Sequence, residues 1–101
     1  MIIYLKKFGT TLNGRQFGRE SLSAFEPSLK DIGKNEEIIL DFEGVVTFTP
    51  SWGDEFLGPL FDRFSDRLRL KSSENPSVQA TLKLLQKIYK KKFKIERKSI
   101  Q

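Results

Sequence analysis

Ile38-Ile39-Leu40-Asp41-Phe42-Glu43-Gly44-Val45-Val46 runs directly into Thr47-Phe48-Thr49-Pro50-Ser51-Trp52-Gly53-Asp54-Glu55-Phe56. The apolar run over residues 37–42, bounded by turn signals, predicts a central strand buried on both faces. Gly44 breaks it, and residues 45–48 continue as a short extended piece. Ser51 is placed to cap a following helix, with Asp54 and Glu55 in the first turn, where negative charge complements the helix dipole. Trp52, Phe56, Leu57, Leu60, Phe61, Phe64 and Leu68 recur at helical spacing on one broad face. Gly58-Pro59 interrupts that pattern. A mid-helix proline loses a hydrogen bond and clashes with the preceding turn, so a kink or break is expected there.

Working outward, residues 2–8 read as a strand with apolar groups on both faces, as in a strand covered on each side. Residues 9–14 are turn-rich, and residues 15–26 read as a helix, with Pro27 either ending it or starting another turn. Residues 67–71 alternate as a short strand. Asn75-Pro76 is a cap followed by proline at the first helical position. Val78, Thr81, Leu82, Leu85, Ile88 and Tyr89 then follow helical spacing. The order is β-α-β-(short β)-α-β-α. That alternation predicts an α/β domain with right-handed crossovers and a small, mostly parallel four-stranded sheet packed against three to four helices.

With 101 residues, 38% hydrophobic and 31% charged, the chain suits one globular domain. It has no cysteine and no histidine. Disulfides, thiolate metal sites and the base most easily tuned near neutral pH are therefore excluded. No segment approaches the roughly 18–20 apolar residues that cross a bilayer. The charges of Lys6 and Lys7 follow the first apolar run, whereas a secretory signal needs them before it, so a cytoplasmic protein without a membrane role is expected.

The net charge of +5 is unevenly placed. Residues 87–98 hold seven basic side chains against Glu96, which leaves residues 1–86 with 11 basic and 12 acidic groups. Nucleic acid would engage such clustered lysines through its phosphates. Lysines near a helix C-terminus also complement its dipole, and Phe93 and Ile95 alternate with the charges, as a short strand or a partner contact would.

Residues 39–45 and 51–56, Ile39-Leu40-Asp41-Phe42-Glu43-Gly44-Val45 and Ser51-Trp52-Gly53-Asp54-Glu55-Phe56, resemble the prokaryotic STAS-like domain family of unknown function. Gly14-Arg15 is similar to that family's upstream arginine, and Asn75-Pro76-Ser77-Val78 to the start of its last helix. The family is similar in turn to the STAS domains of anti-sigma factor antagonists and sulfate transporters, which bind partners and are not enzymes. The resemblance implies a STAS-like domain over residues 1–90, a basic tail over 91–101, and a non-catalytic regulatory module that binds a protein and needs no cofactor. In the antagonists, a serine at the helix start is phosphorylated by an ATP-binding anti-sigma kinase. Ser51 falls on that position, with Pro50 and Trp52 where the pattern has aspartate and serine.

Gly44, Ser51, Trp52 and Asp54 are accordingly the expected partner-binding residues, and Ser51 the expected phosphorylation site. Arg15, Asp41 and Glu55 are expected to be structural: Asp54 or Glu55 pairs with Arg15 or Arg19, and Asp41 bonds turn amides at a strand end. Two other classes compete. One is a nucleic-acid-associated protein using the basic C-terminal segment. The other is an enzyme using the Asp41, Asp54 and Glu55 carboxylates, which would need a concave site with convergent polar groups.

Overall fold

Ile38–Asp41 lies inside a four-stranded sheet in the computed structural model, which describes residues 1–96. The strands are β1 (Ile2–Tyr4), β3 (Ile38–Asp41), β5 (Leu68–Lys71) and β6 (Lys94–Glu96), in that spatial order and all parallel. Two-residue strands β2 (Thr11–Leu12) and β4 (Thr47–Phe48) pair in a separate parallel ribbon. The helices are α1 (Arg15–Leu29), α2 (Pro50–Phe64) and α3 (Pro76–Tyr89). The Cα radius of gyration of 12.8 Å fits one domain of this length. Among the described residues no helix is long and apolar enough to cross a membrane.

The register sorts side chains into alternating rows. Ile38 stands beside Leu68, and Ile3, Leu40, Leu70 and Ile95 align across the sheet. These rows face the helices and, Ile95 apart, are buried. The intervening rows are Ile2-Ile39-Arg69-Lys94 and Tyr4-Asp41-Lys71-Glu96. They form an outer face on which Ile2 and Tyr4 are 42% and 49% exposed. The expectation that β1 and β3 are covered on both sides therefore fails. The strand order supplies the reason. Each new strand joins the same growing edge, so every right-handed crossover brings its helix to the same side of the sheet.

Neither internal proline breaks its helix: α1 runs through Pro27 and α2 through Pro59. A mid-helix proline costs about 3 kcal/mol. The buried face of α2 carries Trp52, Phe56, Leu57, Leu60 and Phe64 on both sides of Pro59, each contributing roughly 1.5–3 kcal/mol on burial. Burial wins. Two shorter elements differ from expectation as well. Extended structure in the first segment stops at Tyr4, where Leu5–Lys7 turns as a 3-10 helix, and another 3-10 turn, Ser65–Arg67, precedes β5.

The expected boundary at residue 90 does not coincide with the edge of the folded unit. Phe93 is buried among Phe61 and Tyr89, and residues 94–96 complete the sheet. Ile88, placed by spacing on the apolar face of α3, is 59% exposed.

Helices α1 and α2 cross closely at Gly18. A Cβ there would lie 2.8 Å from the Trp52 carbonyl oxygen and 3.0 Å from the Glu55 Cβ. Neither backbone can yield without parting the helices. Gly18→Ala is expected to cost about 1–3 kcal/mol through overpacking, read from the urea midpoint; an unchanged midpoint would mean that the crossing has slack.

Candidate functional site

The junction from residue 42 to residue 54 is held from three directions. A turn closes through the Val45 N–H donating to the Phe42 carbonyl at 3.0 Å, and Gly44 adopts φ +85°, where a side chain would be strained. Its exposed position leans on Lys6, whose Cδ would lie 3.0 Å from an added Cβ. The N–H groups of Val46 and Thr47 both reach the Thr10 carbonyl. Asn75 braces the loop from the far side, its Nδ2 donating to the Val45 and Val46 carbonyls at 2.8 and 3.1 Å. The same side chain caps α3 through Oδ1, which accepts from Ser77 and Val78. Ser77 and Thr81 then clamp Phe48: the Phe48 N–H donates to Ser77 Oγ, and both hydroxyls donate to its carbonyl.

Thr49, not Ser51, occupies the cap position of α2, because Pro50 takes the first helical position. Its backbone N–H and its hydroxyl both donate to the Leu12 carbonyl, at 3.0 and 3.2 Å, rather than capping. Ser51 is the second helical residue and is half-buried. Its hydroxyl lies 3.3 Å from the Thr49 hydroxyl. Gly44, Val46 and Pro50 around it are exposed, Val46 to 65%.

Trp52 lies elsewhere. It is fully buried, stacked on Phe56 at 4.8 Å and flanked by Phe8, Phe17 and Phe48. Its expected role as a contact residue is corrected to core, because the third position of α2 lies on the buried face and points it under α1. Its indole N–H is buried with no hydrogen-bond partner among the described residues.

Asp54 joins all three helices. It accepts from Arg15 of α1 at 2.8 Å and from the Tyr89 hydroxyl of α3 at 2.5 Å. Arg15 also reaches Glu55 at 3.1 Å, and Arg19 reaches the other Glu55 oxygen at 3.0 Å. The Tyr89 hydroxyl and then Arg15 hold the Asp54 carboxyl below its ordinary range, against a smaller opposing effect of burial. Burial, then the Asp54 carboxylate, pushes the Tyr89 phenol above its ordinary value. A recess of about 340 Å³ opens beside the pair, lined by Asp54, Gly58, Pro59, Phe61, Asp62, Tyr89 and Lys91.

Asp41 does not join this cluster. It is nearly buried at the end of β3, accepts the Glu43 N–H at 2.9 Å and lies 3.8 Å from the Lys71 ammonium. The three carboxylates weighed as an enzyme site thus occupy two separate settings, each already engaged by hydrogen bonds or cations. Among the described residues no three acidic side chains gather as a metal site would require. The basic segment is spread out: Lys90 ends α3 in the left-handed conformation, Lys91 lies 5.4 Å above the Phe61 ring, and Lys94 is 3.8 Å from Asp66. Arg97 and Lys98 lie outside the described residues. Tyr89 and Thr49 were missed as polar partners. Pro50 was the available signal for Thr49, since proline favours the first helical position.

A one-sided parallel sheet with a strand–loop–helix junction at the carboxyl ends of its strands defines the class of this domain. The family model described as the STAS-like domain of unknown function matches residues 22–78, and the chain belongs to that family. No curated protein and no solved structure matches it.

Proton linkage at the Asp54–Tyr89 pair has a definite sign. The lowered carboxyl contributes stability above its unfolded pKa of about 4, lost as pH falls through the folded value. The raised phenol contributes below about 10, lost as pH rises through the folded value. Tyr89→Phe is expected to move the Asp54 titration upward by NMR and to cost about 1 kcal/mol at neutral pH, the small size reflecting solvent exposure. An Asp54 titration unmoved by the substitution would disprove the coupling.

Proposed function

We propose that this chain is a non-catalytic cytoplasmic regulatory module that binds a protein partner through the junction of β4 and α2, with Ser51 as its modifiable residue. The observation that carries this reading is the setting of Ser51. Its half-buried hydroxyl, next to that of Thr49, stands in the first turn of α2 beside exposed Gly44, Val46 and Pro50. Family membership supports it, since STAS domains of the antagonist type act by partner binding. An ATP-binding regulatory kinase of the anti-sigma type is the first partner to test.

Electrostatics at the site also supports modification. A phosphate adds about −1.5 to −2 charges and suits a helix start. Asp54 and Glu55 would oppose it, but Arg15 and Arg19 neutralise both. The carrier of ATP would be the partner.

Affinity co-purification from the native host, with mass spectrometry of residue 51, tests the reading. Ser51→Ala is expected to retain the partner and lose the modification. Ser51→Asp is expected to release the partner while melting within a few degrees of the parent. Equal capture by both variants, with residue 51 unmodified, would refute the switch.

A further inference from the structure

Strand β6 is the last in the sheet, and its outer edge has no strand partner among the described residues. The Ser72 N–H donates to the Glu96 carbonyl at 2.8 Å, which directs Glu96 toward β5. Backbone groups of alternate residues in a parallel strand point to opposite neighbours. The N–H and C=O of Ile95 therefore point away from the sheet. Phe93 shares that phase, and its N–H is met by the Gln86 side chain at 2.7 Å. Among the described residues the donor of Ile95 has no such cover.

The side chain of Ile95 points the other way, onto the helix-covered face in register with Leu70, yet it is 44% exposed. A groove of about 270 Å³ runs between it and α3, with Val78 and Leu82 beside Ile95, Lys71 and Lys83 as its charged lining residues, and Gln86 at one end. The helix stretch from Val78 to Gln86 spans about 12 Å, room for about four extended residues. Lys83, exposed on α3, is the cation at its rim, whereas the Lys71 ammonium lies on the outer face of the sheet beside Asp41. The groove combines an open strand edge, an apolar floor and a lysine at its rim.

We propose that this edge accepts a strand of a partner protein: an extended acidic segment that bonds to the Ile95 N–H and C=O, sets an aliphatic side chain against Val78, Leu82 and Ile95, and places a carboxylate near Lys83. Strand addition draws affinity from main-chain hydrogen bonds and specificity from pockets for alternate side chains. This surface is separate from the Ser51 junction and does not depend on the switch proposed there.

Fluorescence anisotropy of the full chain with a labelled seven-residue peptide of alternating aspartate and valine tests the site. Binding is expected, with a lysine–valine peptide failing to bind. Lys83→Glu, an exposed position, should weaken the acidic peptide by about tenfold. Ile95→Pro removes the outward N–H together with the isoleucine side chain that lines the groove, a change tolerated on an edge strand, and should weaken it comparably with the circular dichroism melt unchanged. Should that variant unfold, Lys83→Glu and the lysine–valine peptide still decide. No binding at millimolar peptide, equal affinity for the two peptides, or indifference to Lys83→Glu would overturn the proposal. A dimer in sedimentation that Ile95→Pro abolishes would assign the edge to a second copy. Displacement of the peptide by a short single-stranded oligonucleotide would assign the rim to phosphates. Either result also overturns the acidic-strand reading.

Discussion

Crossover handedness is the constraint on which this structure depends. The strands of the main sheet are added in chain order at one edge, so right-handed connections place α1, α2 and α3 on a single side. The middle helix is enclosed by the sheet below and a helix on each flank. That enclosure explains why α2 buries so many large side chains and why Pro59 leaves it continuous. It also explains the unusual outer face, since purely parallel sheets are ordinarily covered on both sides. Here the uncovered rows mix Ile2, Tyr4 and Ile39 with Arg69, Lys71 and Lys94, and Arg69 pairs with Glu37 at 2.6 Å.

Parallel strands also collect their carboxyl ends at one end of the sheet, and the loops that follow β3 and β5 meet there. Asn75 is the joint. One amide side chain caps α3 and holds the loop after β3, so the start of one helix and the approach to another are set together. Asp54 performs a comparable task one layer up, where it links α2 to both neighbouring helices. Ser51 stands between these two fastenings. Its surroundings are thus fixed by contacts from distant parts of the chain.

Much of the architecture was legible because it rests on local signals. The 37–42 run, the alternation before Lys71 and the Asn75-Pro76 cap each state an element through burial pattern or backbone chemistry. Strands β2 and β4 were not legible as a pair, because two residues carry no periodicity and their pairing is decided by the Thr10 and Leu12 carbonyls. Strand β6 was legible only as one reading of the alternation of Phe93 and Ile95 with lysines, because the lysines of an exposed edge equally suit a solvated face. At the site, the Arg15 and Arg19 pairings with Asp54 and Glu55 could be anticipated from charge and helix placement. The depth of Trp52 could not, because it depends on how closely Gly18 lets α1 approach. The cap was misassigned by weighing serine above threonine and overlooking the proline between them.

The burial of Trp52 has a spectroscopic consequence. It is the one tryptophan of the chain, enclosed by four phenylalanine rings and shut off from water. An indole in such a dry, weakly polar cage emits at shorter wavelength than one in solvent. Its rings come from the segment before α1, from α1 itself, from β4 and from α2. Intrinsic fluorescence therefore reports the packing of α1 against α2 and β4 from a single position, with no label added and no surface residue altered.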